Sequence, residues 1–516
     1  MLDKQPRKPL AGVFALVAAS TLSLFLVAES AAQRGFGGGF GGRGGMSSPG
    51  NIGGGRMPGG DGPRHPGGIG PRGPGGVIML PSGGYGPGPG GPGTVVVVED
   101  GDDAPPRRRK TRQTKKQDQK QQKAQKRIAQ RGGFNPPPPG EQRFVPNEVL
   151  LNIAGSTSAQ SLSALARRHR LTQLEARDFM LPPRRLARLR INDGRPVAAV
   201  IRSLQQEASI LAAQTNYYYS LEQGATTAAD PAQYALSKMR LPEAHALVKG
   251  NNVRVAVIDT TIDARHPDLA GTVAATFDAI GKPDKPHSHG TGIASVIAAH
   301  GKLMGVAPSV KVLAIAAFTS LGSKGSSMAI LTGLEYAGTS GAHVINMSFA
   351  GPSDPEMQLK LAALGKKGAV LVAAAGNAGP QSRPLYPAAY PGVIAVTAID
   401  ADDKLFDQAN RGTHIAVAAP GVAILAAAPG ESYQMQSGTS FAAAQVSGVA
   451  ALLRERNRQL DPAAIRRILT STARDLGPAG HDDQFGSGLV DAFSAVSSAA
   501  PRASDVSASP VTAPAN

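Results

Sequence analysis

Hydrophobic residues follow different rules in different parts of this chain, and the changes divide it. From Gln33 to about Gly93 glycine and proline dominate, and apolar residues show neither a two-residue nor a 3.6-residue period. Such a stretch cannot build a core and is expected to be disordered. From Phe144 onward the pattern becomes periodic. Glu148–Ile153 reads as a strand and Ala159–His169 as a helix. Extended stretches follow around Glu175 and over Leu186–Ile191, then a helix over Val197–Ala208 and a strand over Ile210–Leu221. This βαββαβ order predicts a small α+β, ferredoxin-like domain.

Beyond it, apolar runs rich in β-branched residues alternate with helical stretches. Val253–Asp259, Lys311–Phe318, His343–Phe349, Ala369–Ala375 and Val393–Ala398 read as strands; Ile293–Ala299, Ser326–Ala337, Pro355–Lys366, Phe441–Leu453 and Pro462–Ala473 read as helices. Strands that are apolar throughout belong to sheets covered on both faces. The alternation predicts an α/β fold with a doubly wound, mainly parallel sheet and helices on both faces. Phe441–Leu453 is almost uncharged, so that helix should be buried nearly all round.

The candidate chemistry sits at the edges of these elements. Asp259 ends a strand, where open α/β sheets collect ligands; His289 opens a helix, Ser440 opens another, and Asn377 follows the run Ala373-Ala-Ala-Gly376. Singly, each has an ordinary reading as a turn or cap residue. His287 and His289 could share a metal, but no cysteine or HExxH pattern accompanies them. Together, in the order acid, base, nucleophile, they suit acyl transfer. A serine hydroxyl needs a base held by a third group, and the developing oxyanion needs a fixed donor such as the Asn377 amide. An α/β-hydrolase would need G-x-S-x-G and the order serine, acid, histidine, whereas Ala442 occupies the last position here.

At these residues the chain resembles the subtilisin-like serine proteases (subtilase, peptidase S8 type). The resemblance rests on Asp259-Thr260, His289-Gly-Thr291, Gly376-Asn377 and Gly438-Thr-Ser440, and extends over His266-Pro-Asp-Leu269, Gly305-Val-Ala-Pro308, Val344-Ile-Asn-Met-Ser348, Tyr386-Pro-Ala388 and Ala419-Pro-Gly421. It implies an endopeptidase in which Asp259 orients His289, His289 is base then acid, Ser440 is the nucleophile, and Asn377 with the Ser440 backbone N–H forms the oxyanion hole. Ser348, Phe349, Ala350 and Gly351 resemble the strand that pairs with extended polypeptide substrates. Thr261 stands where the family usually has glycine, so the turn after Asp259 is expected to differ slightly. Ala444 and Gln445 replace the usual proline and histidine, which removes a kink rather than a reacting group. Residues 143–223 resemble an inhibitory propeptide, with removal expected between Gln223 and Pro231, which makes that domain a partner of residues 224–497. The family permits calcium, yet there is no EF-hand pattern and no metal site is assigned; no other cofactor is required.

The remaining sequence concerns delivery. Lys4, Arg7 and Lys8 precede an apolar stretch from Leu10 to Ala28 that ends in Ser30-Ala-Ala32, which fits a secretory signal over residues 1–32. A secreted or periplasmic enzyme is expected, or a membrane-anchored one if the segment is not cleaved. The chain has no cysteine, so disulfides are excluded. Residues 33–142 read as linker, with a strand-prone Thr94–Val98, and residues 498–516 as a disordered tail. Most of the formal net charge of +17 comes from a basic run over residues 107–131. It reads as a solvated tail or as a contact to an anionic surface, with no specific nucleic acid implied. The alternative to catalysis is an exported, inactive protein of the same fold that binds or scaffolds, attached to anionic surfaces through this basic segment.

Overall fold

A computed structural model describes residues 133–222, 233–282, 284–321 and 323–500. The signal segment, the Gly/Pro-rich segment, Thr94–Val98, the basic run, the expected removal segment from Gln223 to Pro231 and residues 501–516 lie outside the described residues.

The first part of the chain folds as β1 (Phe134–Asn135), β2 (Phe144–Ile153), α1 (Ala159–Arg168), β3 (Leu171–Met180), β4 (Pro183–Ile191), α2 (Val197–Leu204) and β5 (Ile210–Leu221). Its strands lie in the order β1-β5-β2-β4-β3. The helices cover one face, where Leu162, Leu165, Val200, Ile201 and Leu204 meet Val149, Leu151, Leu189 and Ile191. Two expectations need correction. Residues 133–142 are not all linker, because β1 pairs parallel with β5 and Phe134 packs on the small core. The second helix stops at Leu204 rather than Ala208, since Glu207 N–H bonds back to Leu204 O and the Glu207 carboxylate takes Arg168 and His169 from outside the helix.

The larger part begins with two short helices, α3 (Tyr234–Lys238) and α4 (Leu241–His245). It continues with β6 (Arg254–Asp259), β7 (Val273–Asp278), α5 (Ser288–Ala298), β8 (Lys311–Ala316), β9 (Lys324–Ser326), α6 (Ser327–Thr339), β10 (Val344–Met347), β11 (Phe349–Ala350), α7 (Pro355–Lys366), β12 (Val370–Ala374), β13 (Val393–Ile399) and β14 (Ile415–Pro420). A hairpin, β15 (Ile424–Ala428) and β16 (Ser432–Gln436), leads to α8 (Thr439–Arg456), α9 (Pro462–Ser471) and α10 (Ala492–Ser498). The sheet β14-β13-β12-β10-β6-β8-β7 is parallel in every pairing. Its strands are apolar throughout because alternate residues enter different cores. Val255 and Val257 face α5 and α8, while Ala256 and Ile258 face α6 and α7.

The expected strand His343–Phe349 is two strands. β10 stops at Met347, and Ser348 is spent on side-chain bonds at the site, so Phe349 and Ala350 leave the large sheet and pair with β5 instead. β5 is therefore shared. Its first half belongs to the small sheet, and its second half lies between β9 and β11 in antiparallel register with both. Tyr217, Tyr219 and Leu221 join the core above α6 and α7, with Tyr219 fully buried and its ring edge-on to Phe349. Polar groups seal the same seam. Gln214 Nε2 donates to Asp354 Oδ1 at 2.8 Å, Met180 N–H donates to Glu335 at 2.7 Å, and Arg184 forms a buried ion pair with Glu356.

α8 runs unbroken through Ala444 and Gln445, and it lies close to its neighbour because Gly448 has no side chain. A Cβ there would stand 2.4 Å from Val306 Cβ. In a Ser440→Ala background, which prevents self-digestion, Gly448→Val should destabilise the protein by about 1–3 kcal/mol through overpacking, seen as a lowered Tm.

Candidate active site

The site forms where β6, β10 and β12 end and α5 and α8 begin. Asp259 is the last residue of β6 and is fully buried. A buried carboxylate must find donors, and Asp259 Oδ1 receives Thr260 N–H at 2.7 Å and Thr260 Oγ1–H at 3.1 Å. The third is the imidazole: His289 Nδ1 lies 2.8 and 2.9 Å from the two carboxylate oxygens. His289 reaches there because the start of α5 rides directly over Thr260. Gly290 N–H donates to Thr260 Oγ1 at 3.0 Å, and a Cβ on Gly290 would stand 2.6 Å from Thr260 O and 3.1 Å from Asp259 Oδ1. Only glycine allows this approach. His287 caps α5, its Nδ1 accepting His289 N–H at 3.1 Å. Each imidazole is thus held through its Nδ1 by a different protein partner.

Thr261 lies in the turn after Asp259 that is expected to differ slightly, and its backbone there is unstrained. It is absent from the positive-φ residues, and its carbonyl accepts His287 N–H at 2.9 Å, so the loop turns without a left-handed residue there.

Ser440 sits in the first turn of α8, fully buried. Its Oγ donates to Ser348 O at 2.9 Å, and Ser348 Oγ in turn donates to Ser440 O at 3.0 Å. His289 Nε2 is buried without a hydrogen-bond partner, so the acid–base half of the constellation is assembled while the hydroxyl is turned aside. Catalytic hydrogen bonds commonly tighten only with substrate in place.

Asn377 follows β12 and is anchored at one end. Its Oδ1 accepts Thr439 N–H at 3.1 Å and Thr439 Oγ1–H at 2.8 Å. That leaves Nδ2 buried with no partner, a desolvated donor facing the cleft beside Gly438. Gly376, at φ 114°, makes the turn that presents it. Ala373, Ala374 and Ala375, which precede it, are all buried. Phe349, Ala350 and Gly351 form one rim; Gly351 must be small, since a Cβ would stand 2.3 Å from the Tyr219 ring.

Three contributors escaped sequence reading. β9 is only three residues long, too short for a periodic signal, although Gly325 marks a close approach to Ala317 O. Thr439 orients Asn377 and was readable only as part of the Gly-Thr-Ser run. Glu222, directly after β5, lies in the cleft: its backbone N–H points to Ser348 O at 3.4 Å and its Oε2 accepts Asn377 N–H at 2.5 Å. Burial pushes its carboxyl up to about 7, against the lowering effects of Asn377 N–H and His289. Among the described residues no group of three or more His, Asp or Glu side chains could hold a metal ion, so calcium has no side-chain cluster here and no step is routed through it.

This geometry agrees with comparisons to known proteins. Residues 250–488 match the subtilase family. M-protease of Shouchella clausii (strain KSM-K16) is 36% identical over 308 residues, covering 58% of this chain and 79% of that protein. Thermitase of Thermoactinomyces vulgaris is 35% identical over 272 residues, covering 51% of this chain and 95% of the relative. Among solved structures, fervidolysin from Fervidobacterium pennivorans, described as a keratinolytic enzyme related to subtilisin, superposes with a TM-score of 0.60 at 25% identity, covering 69% of this chain; the chain spans 62% of that structure. The chain belongs to the subtilase family, and it is a serine endopeptidase acting on polypeptides.

Gly290→Ala should displace the imidazole by a fraction of an ångström to an ångström. A loss of about 10²-fold in kcat/KM on a peptide substrate is expected, with the protein still folded by circular dichroism.

Proposed function

We propose that the chain is the precursor of an exported endopeptidase in which Asp259, His289 and Ser440 act as one relay and Asn377 stabilises the oxyanion. In this reading residues 143–223 are the enzyme's own inhibitor, removed by the enzyme itself. The observation that carries it is the course of β5. This stretch of the chain lies as an extended polypeptide between β9 and β11 and ends at Glu222, whose carbonyl oxygen packs against Gly438, two residues before Ser440.

Each residue then has a definite task. Ser440 Oγ turns from Ser348 O to His289 Nε2 and gives up its proton as it attacks a substrate carbonyl carbon. Asp259 holds the ring so that Nε2 faces the serine and stabilises the imidazolium that forms. The unpartnered Asn377 Nδ2 donates to the oxygen as it becomes negative, the moment at which a desolvated donor matters most. His289 passes the proton to the leaving amine, the acyl-enzyme forms, and water reverses the sequence. Ser348, Phe349, Ala350 and Gly351 bind substrate through backbone pairing, as Phe349 and Ala350 do with β5, which favours broad specificity.

Export is supported by the charged start and the apolar Leu10–Ala28 stretch, and attachment to anionic surfaces by the basic run over 107–131. The latter reading requires retention on an anionic matrix that falls steeply with salt and is lost when that run is deleted.

Ser440→Ala should lower turnover of casein by about 10⁶-fold, the size of the loss when this unit is broken in subtilisin, and should abolish rapid labelling by a fluorophosphonate. Asn377→Ala should keep the labelling and reduce kcat by about 10²- to 10³-fold. A Ser440→Ala protein cleaving casein at the parent rate would end this reading.

A further inference from the structure

The Glu222 side chain has no place in the relay, yet it is nearly buried beside it. We infer that this chain is cut directly after Glu222, and that the Glu222 side chain makes departure of the cut tail proton-dependent, held while the carboxyl keeps its proton and let go once it does not. This rests on the protease reading above and goes beyond it by naming the bond and the control.

The position of the cut follows from register. Ser220 pairs with Ala350 and Leu221 with Phe349, and the next N–H, that of Glu222, points to Ser348 O, the same oxygen that Ser440 Oγ occupies. A Cβ on Gly438 would stand 2.3 Å from Glu222 O, and Asn377 Nδ2 lies 2.9 Å from that same point. The Glu222 carbonyl therefore lies on the same side of Gly438 as the unpartnered donor. In the reaction Ser440 Oγ bonds to the Glu222 carbonyl carbon, and the C–N bond that follows breaks. The hydroxyl proton travels through His289 Nε2 to the departing nitrogen. Water then cleaves the acyl-enzyme, leaving Glu222 with a new α-carboxylate beside its own side-chain carboxyl.

The surroundings of that side chain favour its neutral form. From the loop after β12 it receives one donor, Asn377 N–H. From α5 it faces His289, which is already committed to Asp259 at the end of β6. From the segment before β2 it faces Arg143, which is paired with Glu141 at 2.8 Å and belongs to the tail's own module. Of these groups, Asn377 and His289 belong to the larger part and Arg143 to the tail's own module, and burial outweighs all three.

Docked, the carboxyl is lifted to about 7 mainly by burial; in a departed, solvated tail it returns towards the ordinary 4.5. The docked tail thus binds the proton more tightly. Docking is strongest at pH below the free value and weakens as pH rises through the interval up to about 7. The new α-carboxylate adds like charge and works in the same direction.

The test uses the whole precursor, allowed to cut itself at pH 8. Mass spectrometry should find a released fragment ending at Glu222. Tail release is then followed, as recovery of fluorogenic-peptide hydrolysis after dilution, between pH 5 and pH 8 in the parent and in Glu222→Gln. The ratio of parent to Glu222→Gln release rates should climb about 10- to 100-fold across that range. Glu222→Ala, free of any misfit of the amide, should lack the dependence as Gln does. A fragment ending at another residue, or a ratio flat with pH, overturns the inference. If fluorophosphonate still labels the matured protein in that case, the protease reading stands; if nothing is cut or labelled, both fall together.

Discussion

The buried contact between the end of β6 and the start of α5 governs everything built around it. Asp259 lies fully inside the molecule, so its oxygens must be met by Thr260 and by His289, and nothing else can take their place without opening the core. The requirement fixes the rest in turn. Gly290 has to lack a side chain so that α5 can sit on Thr260, and His287 has to cap the helix from a loop that turns back onto Thr261. Once the imidazole is tied at Nδ1, only Nε2 remains to face the serine. A parallel sheet with α8 packed across its middle brings Ser440 to that side.

A second organising feature is that one strand serves two sheets. The small module is joined to the larger part through backbone pairing by β5, through the Tyr219 ring set edge-on against Phe349, and through the polar seam of Gln214, Asp354, Arg184 and Glu356. With no cysteine in the chain, no disulfide joins the two, and the union rests on packing, hydrogen bonds and the Arg184–Glu356 ion pair. Burial of Asp354, which lifts its carboxyl above the usual range, is offset by Ser327, Gln214 and the N-terminal amides of α7. Gln214 comes from the small module, while Ser327 and the Glu356 and Met357 amides belong to the larger part, so docking of the module adds one donor to the three the larger part supplies.

Much of this was legible in the residues. The central strands announced themselves because both of their faces are buried, which gives unbroken runs such as Val253–Asp259 and Ala369–Ala375. The helix after Ser440 was readable as fully buried from its lack of charge, and Gly290, Gly376 and Gly438 lay inside the motifs that carry the family resemblance. What stayed hidden was short or non-local. β7 alternates between exposed and half-buried positions at a sheet edge, and β9 has three residues, so neither carries a clear period. The split between β10 and β11 is decided by a partner more than a hundred residues away. The rotamer of Ser440, directed at Ser348 O, is a property of tertiary packing to which no local pattern points.

Sharing β5 between two sheets has an implication for how errors in folding are exposed. Side chains alternate along a strand, so a slip of a single residue turns every one of them over. In this arrangement the slip would propagate through the whole length of β5: Ala213 would leave the small core, the Tyr219 ring would swing into water, and a different carbonyl would arrive at the serine. Parity along one strand thus links the packing of the first module to the identity of the residue that reaches the cleft beside Ser440.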